Sequence, residues 1–240
     1  MGNVIALSGG KDSTALALRW RELYPDDPVQ LICTPTGDEL PDMLAHWERL
    51  EGLLGLPILR IRHPLGLDGL IAFHGALPNF RMRWCTRQLK IKPALAWVAA
   101  QAERVTLLVG LRADEEERQG IFSAKVDTRF PLREWGWKLA DVVGYLRQRG
   151  VSVPARTDCA RCYHQRIGEW FALWEKHPEI WSAAAEQERA TGHTFRSPKR
   201  DTWPVSLAEL GAAFEGGRRP KLPVVQSDDV EGASCRVCRL

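Results

Sequence analysis

The sequence has 240 residues, of which 45% are hydrophobic and 26% charged, and its formal net charge is +3 at pH 7. These proportions are typical of a globular protein and exclude a chain that is disordered throughout. The length predicts one large domain, or one domain with a small appendage, that folds without disulfide bonds.

Strand and helix patterns alternate through the first half of the chain. We predict strands at 4–7, 29–33, 58–61 and 105–111, and helices at 13–23, 41–54 and 92–102. This alternation predicts an α/β fold with a mainly parallel sheet and helices on both faces. Residues 8–13, 34–39 and 110–118 each follow a strand, so they should meet at the carboxyl edge of the sheet, where ligands bind.

The second half of the chain has a different pattern. Helices are predicted at 139–149, 166–176 and 180–190, and residues 191–234 are predicted to be irregular. We therefore expect an α/β domain at residues 1–150 and a helical, loop-rich appendage at 151–240.

The sequence shows neither an export signal nor an apolar run long enough to span a membrane. We expect a cytoplasmic protein without membrane contacts. Thiols stay reduced in that compartment, so the six cysteines indicate a metal, a cluster or redox chemistry rather than a disulfide framework. Cys33, inside a predicted strand, is expected to be an inert core residue.

A glycine-rich loop between the first strand and the first helix has the properties of a phosphate-binding site. It consists of Ser8, Gly9, Gly10, Lys11, Asp12 and Ser13. The glycines let backbone N–H groups approach an anion, and the helix N-terminus and Lys11 add positive charge. The spacing is not that of a Walker A motif. It resembles the SGGxDS pyrophosphate loop of the adenine-nucleotide α-hydrolase-like (PP-loop) superfamily.

Further segments along residues 3–150 resemble, in order, motifs of the PAPS reductase-like branch, which includes phage and DNA-phosphorothioation-type proteins. They begin at Thr36, Trp84, Gly110 and Pro131. The resemblance implies catalytic roles for three residues of this chain: Lys11, Asp12 and Arg112. Besides the loop, it implies nucleotide contacts from Thr36, Gly37, Arg87, Gly110, Arg112 and Arg118.

Two other features of these segments bear on the same site. Pro35 stands where the family has an aspartate, so Asp38 and Glu39 are the candidate contacts for Mg²⁺ or substrate. Arg81 and Arg83 either join the arginines around the phosphate or sulfate group or lie on loops in solvent.

The other cysteines permit three arrangements. Cys159-x-x-Cys162 and Cys235-x-x-Cys238 have the spacing of metal ligands. The resemblance favours a [4Fe–4S] cluster on Cys85, Cys159 and Cys162, with a cysteine of the second pair as fourth ligand or one iron left open. Alternatively, the two pairs hold Zn²⁺, or the thiols are free and redox-active.

The predicted appendage is rich in arginine and tryptophan. Basic residues mixed with aromatic residues are typical of polynucleotide-binding surfaces. Trp170, Trp174 and Trp181 lie on much the same helical face, however, so we expect these three to pack in a core.

The combined patterns lead to a functional hypothesis with two alternatives. The resemblance implies binding of ATP or a related adenine nucleotide with Mg²⁺, adenylyl transfer with pyrophosphate release, and cluster-dependent sulfur transfer. The alternatives are an APS/PAPS reductase-type thiol reductase and a non-catalytic protein that binds nucleotide or nucleic acid. Besides the nucleotide, the expected partners are a nucleic-acid acceptor, a sulfur-donor protein and a second copy of the chain.

Overall fold

The computed structural model describes residues 2–115 and 126–221. Its centre is a parallel sheet with the strands β1 (Gly2–Ala6), β2 (Gln30–Cys33), β3 (Ile58–Arg60), β4 (Val105–Leu108) and β5 (Val126–Arg129). The order across the sheet is β3-β2-β1-β4-β5. The chain runs from β1 to one side and later returns to the other, so a ligand crevice is expected at the carboxyl end of β1.

Helices cover both faces of this sheet, as predicted. In order they are α1 (Lys11–Leu23), α2 (Pro41–Leu54), α3 (Gly66–His74), a π-helical segment (Thr86–Ile91) that continues into α4 (Lys92–Ala99), α5 (Pro131–Glu134), α6 (Leu139–Gln148), α7 (Ile167–Lys176), α8 (Pro178–Thr191) and α9 (Leu207–Glu215). No helix among the described residues is long and apolar enough to cross a membrane.

The strands alternate their side chains between two cores. Ile5 and Leu31 pack with α1, α2 and α6 on one face of the sheet, together with Cys33. Val4 and Ile32 pack on the other face, against the helix that ends at residue 99. The prediction that Cys33 is a core residue is confirmed, and burial raises the pKa of its thiol to about 12.

A third core joins the C-terminal helices to the first half of the chain. Trp170 and Trp181 are buried there and Trp174 is partly buried, which confirms the packing role expected for these residues. The same core contains Leu40, the apolar face of α3, and Leu89. The division at residue 150 stays a prediction, since this core draws on residues from both sides of it.

The structure contains elements that the periodicity did not predict. α3, α5 and β5 were absent from the expected list, and α9 lies inside the segment expected to be irregular. β5 has the sequence VDTR, which is too short and polar to show an apolar run. α9 does carry a local signal, because Ser206 caps the helix by accepting the backbone N–H of Glu209. Because glycines and prolines surround this stretch, the sequence analysis predicted an irregular segment instead of a helix.

Candidate active site

Three loops meet at the carboxyl edge of the sheet, as expected from the strand order. The glycine loop follows β1, residues 34–39 follow β2, and residues 109–115 follow β4. The approach is closest at Gly110, where an added Cβ would lie 3.0 Å from the backbone of Asp12 and Ser13. Arg118, expected in the third loop, lies outside the described residues.

The glycine loop is held in a tight turn by its own serines. The Ser8 and Ser13 hydroxyls are 3.1 Å apart, and the backbone N–H groups of Gly9 and Gly10 donate to Ser13 and Ser8. Gly9 has a φ of +85°, and a Cβ there would lie 2.2 Å from the end of Met43. Only glycine fits this position. The loop leads directly into α1, whose N-terminus adds the positive potential that favours an anion.

Lys11 begins α1 and is almost completely enclosed, with 1% of its surface exposed. Burial lowers the pKa of its ammonium group, and the carboxylate of Asp12 opposes this effect. A phosphate bound at the loop would act in the same direction as Asp12, because it would stabilise the charged form of a lysine that is poorly solvated.

Arg112 connects two of the loops. Its guanidinium donates to both oxygens of Asp12, at 2.9 and 2.8 Å, and to Asp114 at 2.9 Å, and it lies 3.6 Å from Glu115. Arg112 and Asp12 thus fasten the loop after β4 to the glycine loop. The catalytic roles expected for both residues stay predictions.

Arg87 is exposed on the π-helical segment and does not line either of the two cavities at this edge of the sheet. Its expected contact with a nucleotide stays a prediction.

His46 lies buried behind the glycine loop. Arg49 is 3.2 Å from its Nδ1. Since an arginine can only donate, Nδ1 accepts and the ring proton is on Nε2. Burial, and then the charge of Arg49, lower the pKa of His46 to about 4, while a polar contact with the Gly9 backbone opposes them.

A cavity of about 770 Å³, which includes space open to solvent, lies next to the glycine loop. Its walls come from the ends of β1 and β2, from β4 and from α4, and they are mainly apolar. Ser8, Glu39 and Lys90 are polar groups at its edge, with Thr157 and Asp158 from the C-terminal part. We call it the nucleotide cavity, because its apolar walls would suit the flat base of a nucleotide and its polar groups would suit the charged phosphates.

The loop after β2 is organised by Glu39. Its carboxylate accepts from the backbone N–H of Thr36 at 2.6 Å, from the Thr36 hydroxyl at 2.7 Å and from the N–H of Gly37 at 3.0 Å. Thr36 and Gly37 therefore shape this loop. Their expected contact with a nucleotide stays a prediction.

Asp38 points away from the nucleotide cavity and binds the first cysteine pair. Its carboxylate accepts from the backbone N–H of Arg161 at 2.9 Å and from its Nε at 2.6 Å. Its carbonyl accepts from the N–H of Ala160 at 2.6 Å. The carboxylate of Asp38 is thus bound to a buried guanidinium, and its expected contact with Mg²⁺ or substrate stays a prediction.

Arg161 extends this contact to two more helices. Its Nη1 lies 2.7 Å from Asp68 on α3 and donates to Gln187 on α8 at 2.8 Å. We call the group of Asp38, Arg161, Asp68 and Gln187 the Arg161 clamp. The sequence analysis did not predict the Arg161 clamp. An arginine between two cysteines of one turn is nevertheless a signal in the sequence that could have indicated it.

A second cavity, of about 410 Å³ including space open to solvent, lies beside the first. Its lining includes Cys85, Cys159 and Cys162, so we call it the thiol cavity. Lys90, Asp158 and Cys159 line both cavities. The nucleotide cavity and the thiol cavity therefore share a wall.

Burial favours the neutral form of two thiols in this cavity. Burial raises the pKa of Cys85 and Cys159, and the charge of Lys90 opposes it at both. The Cys159 sulfur is 3.3 Å from the hydroxyl of Thr36, in the loop that Glu39 organises.

Cys85, Cys159 and Cys162 are the candidate ligands for a metal group in the thiol cavity. Within residues 2–115 and 126–221, no three His, Cys, Asp or Glu side chains are placed to hold one metal ion. One zinc ion needs all its sulfur ligands at about 2.3 Å, whereas each thiolate of a [4Fe–4S] cluster binds a different iron. Three thiols that line one cavity are compatible with the second requirement, and the cluster stays a prediction. Cys235 and Cys238, needed for the zinc alternative, lie outside the described residues.

The arginines of the C-terminal part are largely used inside it. Arg156 donates to Asp158 and to the carbonyl of Cys159, and Arg200 donates to the carbonyls of Tyr163 and His164. These contacts fix the turn that carries the cysteine pair.

We predict that Arg161→Gln lowers the free energy of unfolding by about 3–5 kcal/mol, because it leaves the buried charge of Asp38 without its partner. Urea denaturation followed by circular dichroism measures this. Arg189→Gln is the matched control, since Arg189 forms an exposed pair with Glu186 and should change stability by less than about 0.5 kcal/mol. A loss below about 1 kcal/mol for Arg161→Gln would contradict the clamp.

We also predict that His46 makes stability depend on pH. Its pKa is about 4 in the folded state and near 6.5 unfolded, so the unfolded chain binds more protons between these values. The stability present above pH 6.5 is lost as the pH falls to 4, by about 3 kcal/mol. His46→Gln should lack this component, and His193→Gln, at an exposed site, should keep it. Equal pH profiles for all three proteins would show that His46 titrates normally.

Known proteins resemble a large part of this chain. A curated argininosuccinate synthase from Streptococcus mutans is 24% identical over 166 residues, which are 65% of this chain and 41% of that protein. The chain thus spans less than half the length of that relative.

Two solved structures are similar to this chain, and the first of them shares its fold. The PAPS reductase of Candida auris, solved as a phosphate complex, has a TM-score of 0.51 and 17% identity over 64% of this chain and 75% of its own. A U34-tRNA thiolase from Methanococcus maripaludis, solved with its [4Fe-4S] cluster, has a TM-score of 0.48 and 15% identity over 86% and 76%. Residues 2–158 match the phosphoadenosine phosphosulfate reductase domain, and the chain belongs to that family.

Proposed function

We propose that this protein binds ATP or a related adenine nucleotide in the nucleotide cavity, transfers its adenylyl group to an acceptor, and replaces that group with sulfur. The proposal rests on the wall that the two cavities share. Cys159 and Lys90 line both, so an acceptor activated in one cavity would stand next to the thiols of the other.

The first step is an in-line displacement at the α-phosphorus. An acceptor oxygen forms a bond to phosphorus, the bond to the β-phosphate oxygen breaks, and pyrophosphate leaves with the electron pair. The backbone N–H groups of the glycine loop, the N-terminus of α1 and Lys11 would receive the leaving charge. Mg²⁺ would arrive with the nucleotide, and Glu39 is a carboxylate at the edge of this cavity.

The second step exchanges AMP for sulfur. A sulfur nucleophile forms a bond to the activated carbon, and the carbon–oxygen bond breaks to release AMP. Cys85, Cys159 and Cys162 would hold a [4Fe–4S] cluster, which when bound supplies a place to carry sulfur. Binding it requires these thiols to lose their protons, and Lys90 is the cation beside them that favours this loss.

Reduction of a sulfated adenine nucleotide is the second candidate. The family match, together with thiols one wall away from the nucleotide cavity, favours it. In that reaction a thiolate attacks the sulfur of the substrate, and the sulfur–oxygen bond breaks to release the adenosine phosphate. A second thiol then attacks the cysteine sulfur that carries the sulfo group, sulfite leaves, and the two cysteines end as a disulfide.

We predict that Lys11→Met lowers the rate of pyrophosphate release from Mg·ATP by about 100-fold or more, because it removes a charge placed for the leaving group. Water can serve as acceptor, and labelled AMP and pyrophosphate are measured by chromatography. Lys176→Gln, at the exposed end of α7, is the control and should keep the wild-type rate. Sulfite release from APS or PAPS without pyrophosphate release from ATP would favour the reductase. The absence of both activities would indicate a non-catalytic protein that binds nucleotide.

We predict that protein purified without oxygen contains iron and sulfide and absorbs visible light. Cys159→Ser should lose both the metal and the absorbance, because Cys159 lies where the two cavities meet. Cys33→Ala should retain them, since that cysteine is in a separate core. A colourless protein with stoichiometric zinc would contradict the cluster and support the zinc alternative.

A further inference from the structure

One stretch of the chain carries only positive charge. Residues 69–102 contain five Lys or Arg and no Asp or Glu, although the whole protein has a net charge of only +3. This stretch runs from α3 through the π-helical segment to α4, and Cys85 of the thiol cavity lies within it. A local positive field therefore surrounds one side of that cavity.

Phe80, in this stretch, is an exposed aromatic ring held in a fixed orientation. It is 44% exposed. The edges of Tyr163 and His164 pack against it, with ring centroids 5.1 and 4.4 Å away, and the Arg200 guanidinium lies 5.9 Å from its centre. The ring is thus a rigid platform, and Met82, 49% exposed, adds a soft apolar surface nearby in the chain.

Two arginines of this stretch have no partner within the described residues. Arg81 and Arg87 are exposed, and their side chains make no hydrogen bond or ion pair in that part of the chain. Arg156, Arg161 and Arg196 of the C-terminal part differ, since they are bound to carboxylates. Arg81 and Arg87 are therefore available to an external anion.

The platform adjoins the opening of the thiol cavity. Pro78, two residues before Phe80, lines that cavity, and so does Tyr163, on which Phe80 packs. A molecule stacked on Phe80 would reach the cysteines without crossing the protein.

We propose that the surface formed by Phe80, Arg81, Met82 and Arg87 binds single-stranded nucleic acid, and that this nucleic acid is the acceptor. The role of this nucleic acid as the acceptor rests on the proposed function. Bases stack on exposed aromatic rings whatever their sequence, and neighbouring arginines bind the phosphates between them. A duplex hides the faces of its bases, so it cannot use the platform.

This combination favours nucleic acid over an acidic protein. Arg81 and Arg87 would suit either partner. A rigid ring that is half exposed and flanked by guanidinium groups, however, offers a base a stacking partner and offers a carboxylate nothing.

The test measures binding of fluorescent single-stranded DNA and RNA, about 20 nucleotides long, to the full chain by anisotropy at several salt concentrations. Phe80→Leu keeps the apolar volume but removes the ring, and should weaken binding about tenfold. Arg81→Gln with Arg87→Gln should reduce the slope of log K against log salt by about 1.4, for two lost phosphate contacts.

The control is Arg147→Gln with Lys176→Gln, which removes the same charge from exposed positions on α6 and α7 and should leave binding unchanged. Failure of the wild type to bind either oligonucleotide would overturn the proposal. So would duplex binding as tight as single-strand binding, or full competition by polyglutamate.

Pyrophosphate release by the same proteins separates this inference from the proposed function. Release that continues with water as acceptor in the Phe80→Leu protein, while oligonucleotide binding is weakened about tenfold, supports both. Oligonucleotide binding without any pyrophosphate release would contradict the proposed function and the acceptor role, and would support the binding surface alone.

Discussion

The buried ion pair between Asp38 and Arg161 is the interaction on which the site depends. It joins residues 123 positions apart, one after β2 and one in the turn that carries Cys159 and Cys162. Removing both charges from water is costly, and the pair is stable because each group is also hydrogen-bonded. Asp38 accepts from two nitrogens of Arg161, and Arg161 in turn reaches Asp68 and Gln187. Burial nevertheless raises the pKa of Asp38 to about 6, although Arg161 opposes this effect.

The clamp explains why the two cavities share a wall. The turn at residues 159–162 can approach the carboxyl edge of the sheet only if something on that edge binds it. Asp38 does so with its carboxylate and its carbonyl, and Cys159 then lies 3.3 Å from Thr36. The third core adds apolar support, because α3 and the C-terminal helices pack together around it. Carboxylates expected to meet the substrate thus serve to assemble the site.

The sequence predicted what depends on neighbours along the chain and missed what depends on distant partners. The first strand, the glycine loop and α1 follow from an apolar run, two glycines and an amphipathic stretch, and the structure has them. Arg112 shows the limit. Its motif indicated a phosphate contact, but the structure provides three carboxylates around it, two of them in its own loop. Nothing local indicates that Asp38 pairs with Arg161, since this contact joins residues 123 positions apart and exists only once the two halves of the chain meet.

Lys90 shows how closely the two cavities are coupled. It is buried at their shared wall, and its charge opposes the effect of burial on the thiols of Cys85 and Cys159. The same charge lies at the edge of the nucleotide cavity, where a bound phosphate would attract it. In the proposed reaction, a phosphate and a thiolate would therefore share one cation in a region of low dielectric. A phosphate in the nucleotide cavity would make a thiolate in the thiol cavity less stable, and release of that phosphate would reverse the effect.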